Sequence, residues 1–277
     1  ADTTSVSISR GRAVGEYVRE RGSDVRAGDE LLPSAVRLAS RHLAVLAAAG
    51  LTTVSVRARL SVAIITTGSE LIEPGSTPTL GQVFDSNGTA LTAAVRAAGA
   101  VVHSRAHVTD DVAAMEQALD AAADADLIVT SGGISAGDYE VVREALEPHG
   151  ARVGHVAMQP GGPQATAAWH GTPVVGFPGN PVSTQLSFEV FLAPLLRAAA
   201  GLPAAIVEPR ILIDPVRSVA GKRQFLRGRA LDGGRVALVG GPSSHLVAGL
   251  AASDLLVIVP EQVTDLAAGD SVETWAL

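Results

Sequence analysis

Residues 127–135 read Leu-Ile-Val-Thr-Ser-Gly-Gly-Ile-Ser, and this stretch decides the fold class. The apolar run Leu127–Thr130 is typical of a short strand buried on both faces, as in a parallel sheet. The glycine-rich loop 131–138 follows it and leads into a helix predicted over 139–146. A strand, a short loop and a helix in this order form one β–α unit of an α/β domain.

The same unit recurs on both sides of this stretch. Repeated alternation of strands and helices predicts a three-layer α/β domain with a mostly parallel sheet over residues 60–203. The predicted strands are 62–65, 100–108, 127–130 and 173–177, and the predicted helices are 87–98, 111–123, 139–146 and 181–200.

The segments that flank this domain differ from it in pattern. Residues 1–59 are predicted to be a β-rich remnant of an amino-terminal linker region, with strand-like alternation at 6–9 and 53–57 around a helix that spans 33–49. Residues 204–277 are predicted to form a small β-barrel. They contain short strand-like runs at 211–213, 235–239 and 255–259, and a hairpin signal at Asp232-Gly233.

Composition narrows the class of protein. The 277 residues carry a net charge of −7 and only 3% are aromatic, so neither the basic surface nor the stacking platform of a nucleic-acid-binding protein is expected. The absence of cysteine excludes disulfides and zinc–thiolate sites. No run is long and apolar enough for a transmembrane helix, and no signal peptide is visible. We expect a cytoplasmic protein with a small-molecule ligand, and with neither nucleic acid nor membrane as a partner.

Four unusual loops follow the predicted strands of the central domain. In open α/β sheets ligands bind outside the carboxyl ends of the strands, so these loops are expected to share one rim. The loops are Thr66-Thr67-Gly68-Ser69-Glu70, Thr109-Asp110-Asp111, Ser131-Gly132-Gly133-Ile134-Ser135-Ala136-Gly137-Asp138 and Pro178-Gly179-Asn180-Pro181-Val182-Ser183.

The glycines in these loops predict an anion site. Glycine lets the backbone turn with positive φ and approach a ligand closely, and successive N–H groups at a helix start attract an anion. Ser135 and Ser183 could add hydroxyl donors. One Ser-Gly-Gly loop alone is more simply a plain turn, but several such loops on one rim favour a phosphorylated ligand.

The carboxylates beside this anion site predict a divalent cation. Glu70, Asp110 and Asp138 would repel a phosphate unless a cation such as Mg²⁺ bridged them. The competing interpretation is that Asp110 or Asp111, and likewise Asp138, caps a helix. Glu70 has no such structural alternative beyond that of a solvated loop charge.

With these residues in view, the chain resembles the molybdopterin molybdenumtransferases, the MoeA and gephyrin E-domain family. The resemblance implies that molybdate is inserted into adenylylated molybdopterin with Mg²⁺-dependent release of the nucleotide, by an elongated homodimer with its site near the subunit interface. The matching segments, in the family's order, are 22–29, Thr67-Gly-Ser-Glu-Leu71, Asp85-Ser-Asn87, 131–139, 177–183, Phe225-Leu-Arg-Gly228 and Ser244-His245.

The resemblance also implies roles for individual residues. The functional carboxylates would be Asp24, Glu70, Asp110 and Asp138, and the last three would hold Mg²⁺. Arg227 and Ser244 would contact molybdate, and Arg19 would be a further anion contact. The remaining substrate-binding residues would be Thr67, Gly68, Ser131, Gly132, Gly133, Ser135, Pro178, Gly179, Asn180, Pro181 and Ser183.

Three departures from the family's pattern bear on activity. The amino-terminal Ser-Ala-Met-Asp-Gly motif is absent, and we expect the chain to be a piece of a longer one. Ser69 replaces the usual Asp. The family often has lysines around a Pro-Gly-Lys-Pro stretch, which here has Gly162 in place of lysine, and the matching upstream positions are His155 and Gln159. Lys222 is the only lysine in the chain. Two alternatives therefore stay open: a non-catalytic molybdopterin-binding module, and a protein similar to the molybdopterin adenylyltransferases.

Overall fold

The computed structural model describes residues 4–135 and 140–277, which divide into two compact units, Ala1–Arg57 and Ala58–Leu277. In the first unit, residues 4–57 contain one helix, α1 (Ser40–Ala48), and no strand. The helix begins where the Ala39 N–H donates to Nδ1 of His42 at 2.9 Å.

The predictions for the first unit were wrong in two respects. The strands predicted at 6–9 and 53–57 do not form, so the described part of this unit is not β-rich. Their alternating residues have no surface to pack on: Val6 and Ile8 are 88% and 78% exposed, and Val56 is 68% exposed. A strand is stable only when one face is buried and its edge is paired. The helix is also shorter than predicted, because Ala35 has a φ of 60° and ends any helical run before it.

The second unit contains a sheet with helices on both faces and a barrel. Its helices are α2 (Ser86–Ala97), α3 (Val112–Ala121), α4 (Val141–Leu146), α5 (Pro181–Ser187), α6 (Ala193–Ala199) and α7 (Val247–Ala251). Its strands are β1 (Ser61–Thr67), β2 (Leu71–Ile72), β3 (Val83–Phe84), β4 (Val101–Val108), β5 (Leu127–Ser131), β6 (Arg152–His155), β7 (Met158–Gln159), β8 (Pro163–Trp169), β9 (Thr172–Phe177), β10 (Val207–Leu212), β11 (Val216–Arg217), β12 (Arg223–Leu231), β13 (Arg235–Leu238), β14 (Leu255–Val259), β15 (Asp265–Leu266) and β16 (Ser271–Ala276).

The central sheet has the order β4-β1-β5-β9-β8-β6. The strands from β4 to β9 are parallel, and β8 and β6 add an antiparallel edge. The mostly parallel sheet predicted from the sequence is confirmed. The antiparallel edge was not predicted. It arises from the turn His170-Gly171, where both residues have positive φ and join β8 directly to β9.

Alternate residues of β1 show why this domain has three layers. Ala63 and Ile65 belong to one buried cluster, and Val62 and Ile64 belong to another. The first cluster includes residues of α3 and α4, and the second includes residues of α2 and α6. Both faces of the strand are therefore buried under helices, as its continuous apolar sequence predicted.

The carboxyl-terminal part forms the predicted barrel. The strand order β13-β10-β16-β14-β12 closes because β12 also pairs with β13 across the turn at 232–234. Strand β7, from the central part of the chain, pairs with β12 from outside the barrel. The barrel is therefore hydrogen-bonded to the α/β domain, and the division predicted at 203/204 stays a proposal.

The helix predicted over 181–200 is interrupted by a π-helical turn, Phe188–Leu192, between α5 and α6. Pro194 explains the interruption, because it has no N–H to donate to the carbonyl four residues earlier. Glu189 lies in this turn. Desolvation by burial raises the pKa of its carboxyl group, and the charge of Arg197 opposes the rise only in part. Within the described residues no helix is long and apolar enough to cross a membrane.

Two aspartates cap helices of the central domain. Asp111 accepts a hydrogen bond from the Ala114 N–H at 2.7 Å, so the N-cap interpretation holds for this residue. Asp85 caps α2 by accepting from the Gly88 N–H at 2.9 Å, and it is only 1% exposed. It also accepts from Thr66 Oγ1 at 3.0 Å and from Arg105 at 2.8 Å.

Replacing Asp85 by Ala should destabilise the protein far more than the same change at Asp111. The exposed cap should cost about 1 kcal/mol. The buried one should cost about 2–4 kcal/mol, because the partners of Asp85 lose their acceptor in a buried setting. Chemical denaturation of both variants measures the difference. Equal losses would show that the buried network adds nothing to the cap.

The Glu189→Gln variant should be more stable than the unmodified protein at neutral pH. Since the folded-state pKa of Glu189 lies above its ordinary value, the folded protein binds the proton more tightly than the unfolded chain does. Ionisation therefore lowers stability as the pH rises from the ordinary value through the folded one. The advantage of the variant should shrink toward low pH, as measured by unfolding curves over a pH series. An advantage that does not vary with pH would contradict this account.

Candidate functional site

A cleft of about 830 Å³ lies where the carboxyl ends of β1, β5 and β9 meet the barrel. The register of the sheet brings these ends together, because Ser131 pairs with Thr66 on one side and with Phe177 on the other. Twelve of the residues predicted for the site line this one cleft: Thr67, Gly68, Glu70, Asp110, Gly132, Gly133, Ser135, Pro178, Gly179, Asn180, Ser183 and Ser244.

The other predicted residues have different positions. Ser131 is buried at the end of β5, and Pro181 is the first residue of α5. Arg19 and Asp24 are exposed residues of the first unit, and their roles stay predictions. Asp138 lies outside the described residues.

The Ser-Gly-Gly loop adopts a backbone conformation that favours glycine. Gly132 and Gly133 have φ values of 96° and 65°. A Cβ on Gly132 would lie 2.9 Å from the Thr67 carbonyl oxygen, a distance that packed atoms do not allow. The Gly132 N–H donates to the Phe177 carbonyl at 3.0 Å, whereas the amides of Gly133 and Ile134 have no partner among the described residues. Gly133 and Ile134 are therefore the two residues of this loop whose N–H groups we expect to bind an anion.

The loop at 178–180 lies directly against the Ser-Gly-Gly loop. A Cβ on Gly179 would be 3.3 Å from Cα of Gly132, so the two backbones touch with no side chain between them. The amides of Gly179, Asn180 and Ser183 also have no partner among the described residues. Both loops thus contribute N–H donors at one edge, which is the arrangement that binds phosphate.

One wall of the cleft is acidic, with Glu70, Asp110 and Glu140. Asp110 is fixed by Ser69: its Oδ2 accepts the Ser69 N–H at 2.9 Å, and its own N–H donates to Ser69 Oγ at 3.1 Å. Ser69, which stands where the family usually has Asp, thus makes a second hydrogen bond with Asp110 through its hydroxyl group. The Glu70 carboxylate lies over Gly68, where a Cβ would meet Glu70 Oε2 at 2.7 Å. Within the described residues, no group of three histidine or acidic side chains converges to hold a metal ion.

Glu140 is a cleft residue that the sequence analysis did not identify. Its Oε2 accepts the Ser135 N–H at 2.6 Å, so it closes the end of the Ser-Gly-Gly loop. A signal was present in the sequence, because Glu140 directly precedes α4 and follows the glycine loop. The sequence pattern led us to expect Asp138, and not Glu140, as the carboxylate of this segment in the site.

A second wall of the cleft comes from the barrel and from the segment before β8. It carries the basic residues Lys222 and His155, together with Pro242, Ser243 and Ser244. The Val182 N–H in the first turn of α5 donates to the Ser244 carbonyl at 3.0 Å, which fixes this wall to the α/β domain.

Arg227 supports this wall from behind. It is 3% exposed, it is not among the residues that line the cleft, and burial lowers the pKa of its guanidinium group. Its guanidinium donates to the carbonyls of Val239, Gly241 and Ser243, the last at 3.0 Å. It thereby fixes the segment that ends in Ser244. The geometry shows a structural contact for Arg227, and its role toward molybdate stays a prediction.

Comparison with known proteins agrees with this arrangement. A family model described as "Probable molybdopterin binding domain" matches residues 63–198, and one described as "MoeA C-terminal region (domain IV)" matches residues 210–277. The acidic wall and His155 fall in the first region, and Lys222 and residues 242–244 of the other wall fall in the second.

Relatives of known name match nearly the whole chain. Molybdopterin molybdenumtransferase 2 of Mycobacterium tuberculosis is 44% identical over 99% of this chain and 70% of its own length. The enzyme of that name from Synechococcus elongatus is 34% identical over 100% of this chain and 70% of its own length. The molybdopterin biosynthesis MoeA protein of Pyrococcus horikoshii has a similar structure, with a TM-score of 0.74 and 31% identity over 89% of this chain and 61% of that one. The chain therefore belongs to the molybdopterin molybdenumtransferase family.

Proposed function

We propose that this chain inserts molybdate into molybdopterin and releases the nucleotide from its adenylylated form. The observation that carries the proposal is that two domains line one cleft. The α/β domain contributes an edge rich in backbone amides and an acidic wall, and the barrel contributes a wall with Lys222. A protein similar to the adenylyltransferases would need the central domain alone. The contribution of the barrel therefore favours the molybdenumtransferase.

The glycine loops would bind the phosphate groups of the adenylylated pterin. The amides of Gly133, Ile134 and Gly179 have no partner among the described residues and supply N–H donors, and the two glycines have no side chain to block the approach. The hydroxyl of Ser183 lies in the same cleft and could donate to the same oxygens. These contacts would hold the phosphate groups on either side of the bond that is cleaved when the nucleotide is released.

The acidic wall fits Mg²⁺, which the family resemblance implies. Mg²⁺ at phosphates is usually held by one or two carboxylates together with phosphate oxygens and water, so a cluster of three protein ligands is not required. The carboxylate of Glu70 makes no hydrogen bond or ion pair with described residues, and in the Asp110 carboxylate only Oδ2 is engaged, by Ser69. These two carboxylates would hold the ion, and Asp138 stays in the proposal as a third. When bound, the ion would offset the charge between carboxylates and phosphate and make the phosphorus more electrophilic.

Molybdate would bind at the barrel wall. Lys222 supplies a cation there, and the hydroxyl of Ser244 can donate to an oxyanion. Arg227 belongs to this side of the proposal because it fixes the segment that carries Ser244. Arg19 and Asp24 stay in the proposal as contacts from the first unit, which the expected homodimer would contribute to the site. We further propose that the protein acts in the cytoplasm.

The decisive experiment supplies purified protein with adenylylated molybdopterin, molybdate and Mg²⁺. Release of AMP together with molybdenum cofactor, detected by reconstitution of a molybdenum-dependent enzyme, is the expected result. Tight binding without AMP release would instead establish the non-catalytic molybdopterin-binding module. The sparse positive charge of the cleft, with only Lys222 and His155 among its described lining residues, is the observation that favours this second candidate.

The Asp110→Asn variant should lose about 100-fold in turnover, because it removes a charge from the acidic wall. The amide oxygen can still accept the Ser69 N–H, so the loop should keep its shape. Half-maximal activity should also require a higher Mg²⁺ concentration. Asp111→Asn is the matched control: it makes the same change one residue away, and asparagine is an equally good helix cap. Equal activity in the two variants would remove Asp110 from the site.

The Gly132→Ala variant should bind adenylylated molybdopterin roughly 10-fold more weakly, a change worth about 1.4 kcal/mol. Its Cβ would push Thr67 and the loop apart. Gly171→Ala is the control, because Gly171 has a φ of 92° against 96° for Gly132, and a Cβ there meets nothing within 4 Å. Both variants carry the same backbone strain, so only a loss confined to Gly132→Ala supports binding by the loop. Titration calorimetry distinguishes the two cases.

A further inference from the structure

Asn87, at the start of α2, joins three elements of the cleft. It is 7% exposed. Its Nδ2 donates to Ser131 Oγ at 2.9 Å and to the Gly179 carbonyl at 2.7 Å. One side-chain amide therefore connects the first turn of α2, the end of β5 and the loop at 178–180.

The direction of these hydrogen bonds follows from their partners. A carbonyl only accepts, so the Gly179 contact fixes Nδ2 as the donor, and its two N–H groups are both used. Ser131 Oγ accepts one of them and can donate to Thr184 Oγ1 at 3.1 Å. Thr184 Oγ1 in turn donates to the Pro178 carbonyl at 2.5 Å. The chain of donors begins at Asn87 and ends at the carbonyls of the 178–180 loop.

The other end of the amide is unsatisfied. Asn87 Oδ1 is buried and has no partner among the described residues. A buried acceptor without a partner costs stability, so packing alone does not explain an amide here. Its two donors explain it, because Asp offers no donor, and Gln would carry its amide one methylene further out.

We infer that Asn87 is a positioning residue that sets the two glycine loops against each other, and through them the affinity of the cleft for adenylylated molybdopterin. Gly132 and Gly179 touch backbone to backbone, with a Cβ on Gly179 only 3.3 Å from Cα of Gly132. No side chain of either glycine can lock this contact. The hydrogen bonds of Asn87, together with that from the Gly132 N–H to the Phe177 carbonyl, do so and fix the spacing of the amides that would bind phosphate. The inference rests on the proposed function for its ligand.

Steady-state kinetics of Asn87→Asp tests the inference. This variant keeps the size of the side chain and removes both N–H donors. Loss of two hydrogen bonds should raise KM for adenylylated molybdopterin roughly 10- to 30-fold, with kcat changed less than about 3-fold, because the loops bind substrate and transition state alike. A merely destabilised protein would show the opposite split, with a smaller active fraction and an unchanged KM.

A matched pair of threonines gives the control and a milder test. Thr184 and Thr92 each place Oγ1 near the carbonyl oxygen four residues earlier, at 3.1 Å and 2.7 Å, but only Thr184 belongs to the chain from Asn87, through its shorter hydrogen bond to the Pro178 carbonyl. Thr184→Val should raise KM by a smaller factor than Asn87→Asp, and Thr92→Val should leave KM unchanged. Should Asn87→Asp fail to fold, the threonine pair still decides. Equal KM values for Thr184→Val and Thr92→Val would overturn the inference.

Hydrogen exchange on the protein without ligand separates this inference from the proposed function. Amides in 178–184 and 131–135 should exchange faster in Asn87→Asp than in Thr92→Val. If exchange is unchanged, Asn87 does not position the loops. If exchange is faster but the unmodified protein neither binds nor turns over adenylylated molybdopterin, the positioning role stands and the proposed function fails.

Discussion

The parallel pairing of β1, β5 and β9 is the constraint on which the site depends. Because Thr66, Ser131 and Phe177 lie side by side in register, the loops that follow them must begin at one edge. Segments more than 60 residues apart in sequence, such as 66–70 and 131–135, are thereby brought into contact. The glycines then set how close the contact is, since Gly132 has no room for a Cβ and a Cβ on Gly179 would be in tight contact with Gly132 at 3.3 Å.

Charge gives this edge its chemical character. Three carboxylates and two basic residues are among the described residues that line the cleft, so a phosphorylated ligand would meet a net acidic surface. Backbone amides offset part of this repulsion, and a divalent ion held by Glu70 and Asp110 would offset the rest. Arg227 contributes little charge to the cleft, because it is buried behind the barrel wall and directed at backbone carbonyls. The proposed Mg²⁺ would supply the positive charge that the described lining residues lack.

The sequence predicted the features that depend on local pattern. The strands at 62–65, 127–130 and 173–177 are continuous apolar runs, and their common direction follows from the helices between them, so the rim and most of its loop residues could be placed in advance. Asn87 was assigned no role, although it lies in the matching segment Asp85-Ser-Asn87, because its partners are 44 and 92 residues away. Glu140 was missed because the acidic role of its segment was given to Asp138. The strands predicted in the first unit failed for the opposite reason, because alternation in sequence does not create a surface on which a strand can pack.

The barrel does more than extend the fold. Strand β7 pairs with β12, and the Ser244 carbonyl accepts the Val182 N–H from the first turn of α5, so barrel and sheet are joined at two points beside the cleft. Arg227 fixes the segment between these points by holding three of its carbonyls. The wall with Lys222 and Ser244 is therefore fixed relative to the glycine loops. Two anionic groups, one bound at this wall and one at the loops, would be kept at a set distance, and that distance is what a transfer between a phosphorylated pterin and an oxyanion requires.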